Sequence, residues 1–348
     1  MKELLQLPRE LLLLTADSLD FLRDVNSLCQ TNRYLYHTLN GYLYKYNMQQ
    51  HESNVLQWAA IHGIEEVVKT ALQRGADIHT TAPIRGLKLP NRSHFPIILQ
   101  IELLTNNKGN EDLSICRGAF TPLVLAAGAG YQNIVLSLLQ HGADINRTGT
   151  TCMTALMIAA QGGHTGVVEL LLRNGADLTV KHHGLYMTAL ELAAEEGHAG
   201  AVDLLLRHGQ DPNHPSSFPA LAVAALKGHV LVVRVLLEHG ADVQMKSSAG
   251  KTPLLYATEE DYPEVVRLLL QHGEDFESCG FDGVPLLLHA VRMGSAEVCE
   301  LLLHLGAEVN VTDENGRTPL WWAIDGRETE MVEMLLKHGA RGGPEDDI

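Results

Sequence analysis

The sequence is poor in aromatic residues, and this scarcity bears on the fold class. Aromatic residues make up 5% of the 348 residues, whereas Leu, Ala, Gly and His are frequent. Because aromatic and β-branched residues favour strands, this composition favours helices that pack through small residues over a sandwich of strands. With 45% hydrophobic residues, the chain is also long enough to bury a large core.

Basic residues are scarce as well, and their scarcity excludes two classes of partner. The chain has 26 Lys and Arg residues against 42 Asp and Glu residues, a formal net charge of −16. Proteins that bind nucleic acids or anionic membrane surfaces usually carry the opposite charge. The uncharged stretch 118–143 could span a bilayer by its length, but Thr121-Pro122 and the segment 128–133 divide it into two short helices. We therefore expect a monomer that binds neither nucleic acid nor membrane.

Cysteines are few and scattered. The five cysteines are Cys29, Cys116, Cys152, Cys279 and Cys299. They are odd in number and form no C-x-x-C pair, which favours free thiols in a reducing compartment over a disulfide framework or a zinc ribbon. Since the amino terminus also lacks a secretory signal pattern, we expect a cytoplasmic or nuclear location.

A repeat of about 33 residues organises most of the chain. Each unit has a helix start, an inner turn nine residues later, and a closing glycine twelve residues after that. The helix starts are Asn54, Thr121, Thr154, Thr188, Pro219, Thr252, Pro285 and Thr318. The closing glycines are Gly75, Gly142, Gly175, Gly209, Gly240, Gly273, Gly306 and Gly339. Thr caps a helix and Gly ends one, so the period predicts eight helix–turn–helix units.

Residues 54–341 resemble eight ankyrin repeats, as seen in Thr252-Pro-Leu254, Ala193-Ala194 and Val167-Val-Glu-Leu-Leu-Leu172. This resemblance implies an all-α solenoid with turn-like fingers that binds other proteins. The inner turn carries Asp261 and Arg327 where Gly is usual, so we expect strain there. The family's His after T-P-L is absent, and with it we expect the loss of an inter-repeat hydrogen bond. Its place is taken by Gln57, Val124, Met157, Glu191, Ala222, Leu255, Leu288 and Trp321.

The first two closing glycines, Gly75 and Gly142, are 67 residues apart, about twice the period. Residues 48–79 hold a linker and repeat 1, and we interpret residues 80–120 as a long inter-repeat insertion. A degenerate repeat is the alternative. Repeats 2–8 then occupy residues 121–341, and an acidic tail occupies residues 342–348.

Residues 1–47 do not follow the repeat. Five of the nine tyrosines fall between Tyr34 and Tyr46, and the apolar spacing predicts three short helices. The segment Leu7-Pro-Arg-Glu-Leu-Leu12 and the later residues Leu28, Arg33 and Tyr36 resemble an F-box. This resemblance implies binding to the Skp adaptor of a cullin–RING ubiquitin ligase through Leu7, Pro8, Glu10, Leu11, Leu12 and Leu28. Alternatively, these helices only cap the apolar flank of the first repeat.

The sequence shows no catalytic constellation. Most of its 18 histidines recur at equivalent repeat positions, and neither an H-E-x-x-H nor a phosphate-binding glycine loop is present. We therefore expect that the protein is not an enzyme and uses no cofactor or metal ion.

Variable residues at the fingers and after the Ala-Ala pairs are the candidate target-binding residues. They are Tyr186, Glu195, Glu196, Lys227, Glu259, Glu260 and Phe281. The acidic members predict a target with a basic segment, with Tyr186 and Phe281 as apolar anchors; a solvated acidic surface is the alternative. Together these features predict the substrate-recognition subunit of a cullin–RING ubiquitin ligase. The second hypothesis is an ankyrin scaffold or inhibitor with no link to ubiquitin.

Overall fold

The computed structural model describes residues 55–81, 120–149, 152–182, 186–273 and 284–342, and in these ranges its regular elements are all α-helices. The predicted F-box-like segment lies outside the described residues. The helices are α1 (Val55–His62), α2 (Glu65–Gln73), α3 (Pro122–Gly128), α4 (Gln132–Gln140), α5 (Ala155–Gln161), α6 (Thr165–Arg173), α7 (Ala189–Glu195), α8 (Ala199–Arg207), α9 (Ala220–Leu226), α10 (Val230–Glu238), α11 (Pro253–Glu259), α12 (Pro263–Gln271), α13 (Leu286–Met293), α14 (Ala296–His304), α15 (Pro319–Asp325) and α16 (Thr329–Lys337).

These helices form eight antiparallel pairs in two compact units, one ending at Asp177 and the other beginning at Leu178. In the first unit, the first helices of the pairs (α1, α3 and α5) pack in one row and the second helices (α2, α4 and α6) pack in another. The second unit repeats this arrangement, with α7, α9, α11, α13 and α15 in one row and α8, α10, α12, α14 and α16 in the other. The predicted all-α repeat fold is confirmed.

The first helices that follow Thr121, Thr154, Thr188, Thr252 and Thr318 begin as the sequence predicts. The Thr252 Oγ1 accepts a hydrogen bond from the Leu255 N–H at 3.4 Å, and Thr121 caps α3 in the same way. Pro253 occupies the first helical position, where its missing N–H removes no helical hydrogen bond. Pro219 and Pro285 differ, because each stands at the N-cap itself and makes no side-chain cap.

The core lies between the two rows of helices. The first helices are short and almost wholly buried; in α9, six of seven residues are buried, four of them Ala. The small side chains let neighbouring helices approach closely. The second helices bury one face only, as in α6, where Leu171 and Leu172 are buried and Leu170 is half-buried. That burial agrees with the amphipathic spacing of the sequence.

The inner turn between the two helices of a pair favours glycine for two reasons. Gly228 has φ +69°, in the left-handed region, and a Cβ placed there would lie 2.8 Å from the ring of Tyr262 in the next pair. Any other residue would therefore be strained and would also displace the aromatic ring. The close approach of the next repeat explains why glycine recurs at this turn.

Asp261 occupies the same turn in the sixth pair and keeps its left-handed backbone, with φ +57°. The neighbour in the next pair is here the small Ser295, and the Asp261 carboxylate accepts hydrogen bonds from the Glu297 and Val298 N–H groups at 3.2 and 2.9 Å. Arg327 is also left-handed, with φ +58°. The expected departure from ordinary backbone is confirmed at both turns, and Asp261 offsets its cost by capping α14.

Histidines connect the pairs, as expected for residues that recur with the repeat. His229 Nε2 donates to the Glu195 carbonyl oxygen at 2.9 Å, and His164 Nε2 donates to that of Gly128 at 2.9 Å. Since a carbonyl oxygen only accepts, Nε2 carries the proton in both rings. These histidines have a structural role.

Two residues at the family's usual His position make long-range or capping bonds after all. Gln57 Nε2 donates to the carbonyl oxygens of Phe120 and Thr80, at 2.6 and 3.3 Å. Glu191 is 1% exposed and accepts from both the N–H and the hydroxyl of Thr188, whose Oγ1 in turn accepts from Gln210 Nε2 at 2.7 Å. The expected loss of an inter-repeat hydrogen bond was therefore wrong at Gln57, whereas Glu191 bonds only within its own repeat.

The first two repeats are direct neighbours although their closing glycines are 67 residues apart. Helix α1 packs on α3 and α2 packs on α4. Gln57 also bonds residues at both ends of the predicted insertion. Residues 82–119 lie outside the described residues, so the insertion at 80–120 and its alternative, a degenerate repeat, stay predictions.

Candidate protein-binding surface

In the second unit, one surface is formed by the carboxyl-terminal ends of the five first helices. The residues that immediately precede those helices contribute to the same surface. Lys251, just before Thr252, contacts Glu259 at the end of α11, and Arg317, just before Thr318, lies against Trp322 of α15. We call this the helix-end surface. Its helix-end members are Glu195, Glu196, Leu226, Lys227, Glu259, Glu260, Arg292, Met293 and Asp325. Because the frame below them repeats, these side chains are free to differ in chemistry.

The acidic pair Glu195 and Glu196 lies at the end of α7, and both residues are half-buried. The Glu195 carbonyl, which accepts from His229, ties this helix end to the next pair. Lys227 follows at the equivalent place after α9 and is exposed. The structure thus places these three predicted residues on one surface of the second unit.

Glu259 is not an unpaired carboxylate. Its Oε2 lies 2.7 Å from Lys251 Nζ and its Oε1 lies 3.1 Å from His289 Nε2. The Glu259 side chain is 14% exposed and that of His289 is 8% exposed. Burial lowers the pKa of His289, while the Glu259 carboxylate opposes this shift. Glu259 is thus engaged inside the repeat stack, and a basic target would have to compete with Lys251 for it.

The residues that follow Glu259 separate into two roles. Glu260 is the C-cap of α11 and is exposed. Asp261 instead caps α14 in the next pair. Of the three consecutive acids, only Glu260 presents its side chain openly to a partner.

The predicted apolar anchor Tyr186 is 60% exposed, and its backbone is left-handed with φ +54°. Its N–H donates to the His182 carbonyl oxygen at 2.7 Å, which closes a tight finger before α7. A bulky residue rarely holds this backbone conformation, so the finger presents the ring outward at some cost. Phe281, the second predicted anchor, lies outside the described residues.

A cluster that the sequence did not predict lies at the end of the second unit. The guanidinium carbons of Arg292 and Arg317 lie 4.8 and 5.4 Å from the ring centroid of Trp322, and that of Arg317 lies 4.5 Å from the Trp321 ring. The two indole rings meet edge to face with centroids 5.2 Å apart. We call these four residues the Arg–Trp cluster.

One sequence signal pointed to this cluster. The chain has three Trp residues, and two of them are adjacent at 321–322. Trp321 stands where the family usually has His, but the significance of the pair depends on Arg292, which comes from the preceding repeat. That contact is visible only in the folded chain.

The described part of the chain offers no metal cluster of three or more His, Cys, Asp or Glu residues. Of its cysteines, Cys152 is half-buried and Cys299 is buried. Burial raises the pKa of the Cys299 thiol, and the Asp261 and Glu328 carboxylates add to this shift. A thiol held protonated is a poor nucleophile. Among the helices described, none is both long and apolar enough to cross a bilayer.

The fold and this surface define a helical repeat protein whose constant frame displays variable side chains. Sequence models described as ankyrin repeats (3 copies) match residues 148–216, 190–280 and 276–346, and one described as ankyrin repeats (many copies) matches residues 123–172. The chain belongs to the ankyrin-repeat family.

One solved structure supports the same conclusion. The crystal structure of the human ASB11 ankyrin repeat domain is 25% identical, with a TM-score of 0.56, and the match covers 64% of this chain and 99% of that domain. No curated protein matches the chain. Ankyrin repeats serve as protein–protein interaction modules, which is the function that the fold supports.

Proposed function

We propose that this protein is the substrate-recognition subunit of a cullin–RING ubiquitin ligase. In this proposal, the helix-end surface holds the target and the amino-terminal segment docks the Skp adaptor. The receptor would act by proximity, because binding both partners raises the effective concentration of the target near the enzyme that transfers ubiquitin.

The observation that carries target binding is the contrast between frame and surface in the second unit. Equivalent positions at the helix ends hold Glu195, Leu226, Glu259 and Arg292, whereas the residues beneath them are mostly buried and apolar. The same unit also exposes Tyr186 and Met293, whose apolar side chains can contact a partner.

The link to ubiquitin is supported by the resemblance of residues 7–36 to an F-box. Its test is a double substitution, Leu11→Asp with Leu12→Asp, in the full chain. If these residues dock the adaptor, two buried charges would cost several kcal/mol of binding free energy, and the adaptor and cullin should no longer co-purify.

The repeats serve as the control for this experiment. Circular dichroism should show unchanged helix content and an unchanged thermal midpoint in the double variant. Adaptor binding at full strength would overturn the ligase assignment. Loss of stability without any adaptor binding by the parent chain would favour the second hypothesis, an ankyrin scaffold or inhibitor whose amino-terminal helices act as a cap.

A further inference from the structure

The Arg–Trp cluster gathers two cations on one ring. Arg292 comes from the end of α13 and Arg317 from the residue before the N-cap of α15. Both guanidinium carbons contact the Trp322 ring, so they lie no more than about 10 Å apart, the sum of the two distances to its centroid. Arg292 is exposed and Arg317 is half-buried.

Neither cation forms a salt bridge in the described part of the chain. Three other arginines, Arg173, Arg207 and Arg267, each pair with an acid on their own helix, as Arg207 does with Asp203 at 3.0 Å. Arg292 and Arg317 form no ion pair with any described residue.

Asp313 is close enough to Arg317 for their charges to interact, but its oxygens are engaged elsewhere. Its Oδ1 accepts from the N–H groups of Asn315 and Arg317, each at 2.9 Å, and its Oδ2 accepts from Trp322 Nε1 at 3.2 Å. The carboxylate therefore fixes the finger and the indole ring. It orients the ring on which both guanidinium groups lie.

When a guanidinium group stacks on an indole ring, the face of the guanidinium group contacts the ring. The N–H groups at the edge of the guanidinium group then remain for an acceptor. The edge matches a carboxylate, which it binds through two parallel hydrogen bonds. Since the ring restricts the arginine side chains, less conformational entropy is lost on binding. Beside Arg292 in the chain, Met293 is 48% exposed and offers an apolar contact.

We propose that repeats seven and eight bind an acidic segment of the target protein, whose carboxylates bond the edges of Arg292 and Arg317 and whose apolar side chain packs on Met293. The inference rests on the proposed function, since it names the chemistry of the target at that same surface. It adds an acidic segment to the basic segment that the sequence predicts for the target. The target meets acidic residues at Glu195 and Glu196, and basic residues at the opposite end of the second unit's row.

The first experiment selects ligands without assuming a target. Random short peptides displayed on phage are selected against the full chain and, in parallel, against the variant with Arg292→Gln and Arg317→Gln. The parent chain should enrich peptides that carry two or more Asp or Glu residues next to an apolar residue. The double variant should lose this class of peptide.

The second experiment measures affinity with one selected peptide and its counterpart in which Gln replaces every Glu. Trp58→Phe removes the only tryptophan outside the cluster, so that intrinsic fluorescence reports Trp321 and Trp322. Each single Arg→Gln change should weaken binding roughly tenfold, the usual size for one charge-assisted hydrogen-bonding pair. Arg→Lys should weaken it less, because it keeps the charge and loses the planar edge.

Arg267→Gln is the matched control, because it makes the same change of net charge on α12, where Arg267 pairs with Glu264 at 3.6 Å. It should leave peptide affinity unchanged. Three results would each overturn the inference. They are an equal loss of peptide affinity in Arg267→Gln, equal affinity for the peptide in which Gln replaces Glu, and a selected peptide pool that is not enriched in acidic residues. A pool that instead depends on Glu195 and Glu196 would overturn it while leaving target binding at this surface supported. Adaptor co-purification tests the ligase link independently.

Discussion

Two charged sites in the second unit are built at the same repeat positions, and they handle charge in opposite ways. Glu259, at the end of one first helix, contacts His289 in the next repeat. Thirty-three residues further on, Arg292 contacts Trp322 at the equivalent places. In the first site the carboxylate is neutralised by Lys251 and largely buried. In the second site, two cations share an aromatic ring, and neither forms an ion pair with a described residue.

The same repeat frame can therefore hold two kinds of charged site. We call the Glu259 site closed, because its charge is paired inside the protein, and the Arg292 site open, because its charge forms no ion pair with a described residue. An acid at the helix end recruits Lys251 and His289, and its bonding capacity is used inside the protein. An arginine at the same place finds an indole ring, which attracts a cation without neutralising it. Binding capacity therefore depends on which neighbour the next repeat supplies, as well as on the charge itself.

The largest expected effect comes from breaking the closed site with Glu259→Ala. This change leaves Lys251 and the buried His289 facing each other without a counter-charge, at a cost on the order of 1–3 kcal/mol of unfolding free energy. Urea denaturation of the full chain measures the loss. Glu260→Ala is the control, since Glu260 is exposed and its removal should change stability by less than about 0.5 kcal/mol. Equal losses in the two variants would show that the site is not closed.

A smaller effect is expected when the open site is broken. A double-mutant cycle with Arg292→Ala and Trp322→Leu should give a coupling free energy of about 0.5–1 kcal/mol, the range for a cation on an exposed aromatic ring. The coupling should survive high salt better than that between Lys251 and Glu259, because an ion pair is screened more strongly. A coupling of zero would mean that Arg292 only lies near the ring.

The smallest expected effect is on pH dependence, which only the closed site should show. Burial lowers the pKa of His289, with Lys251 and Arg292 adding to the shift and Glu259 opposing it. A His whose pKa is lower in the folded chain binds its proton at a lower pH in that state than in the unfolded chain. Protonation therefore favours the unfolded chain, and stability falls as pH drops below about 6.5.

His289→Gln should remove this part of the acid sensitivity while keeping a donor toward Glu259. Unfolding free energies at pH 7.5 and at pH 5 should therefore differ less in the variant than in the parent chain. The half-buried His62, whose pKa is also lowered by desolvation, contributes equally to both chains. Parallel pH profiles would contradict a titrating His289.

The sequence by itself determined the repeat frame. Cap residues such as Thr252, turn glycines such as Gly228 and the apolar spacing of α6 act within a few residues of the chain, so each can be recognised locally. Eight predicted pairs are found among the described helices. The predicted site residues Glu195, Glu196, Lys227 and Glu260 also lie on one surface, because the period places equivalent residues side by side.

Only the tertiary structure decided which of those residues are available to a partner. Glu259 was expected to face a target, but it pairs with His289 thirty residues away; Arg292 was not predicted to contact an aromatic ring, but it meets Trp322 at the same separation. Asp261, expected to strain a turn, caps a helix of the next repeat. Such contacts depend on how one repeat stacks on the next, and no local sequence pattern specifies that stacking. The physical reason is that charge is neutralised by neighbours in space, whereas the sequence pattern reports neighbours along the chain.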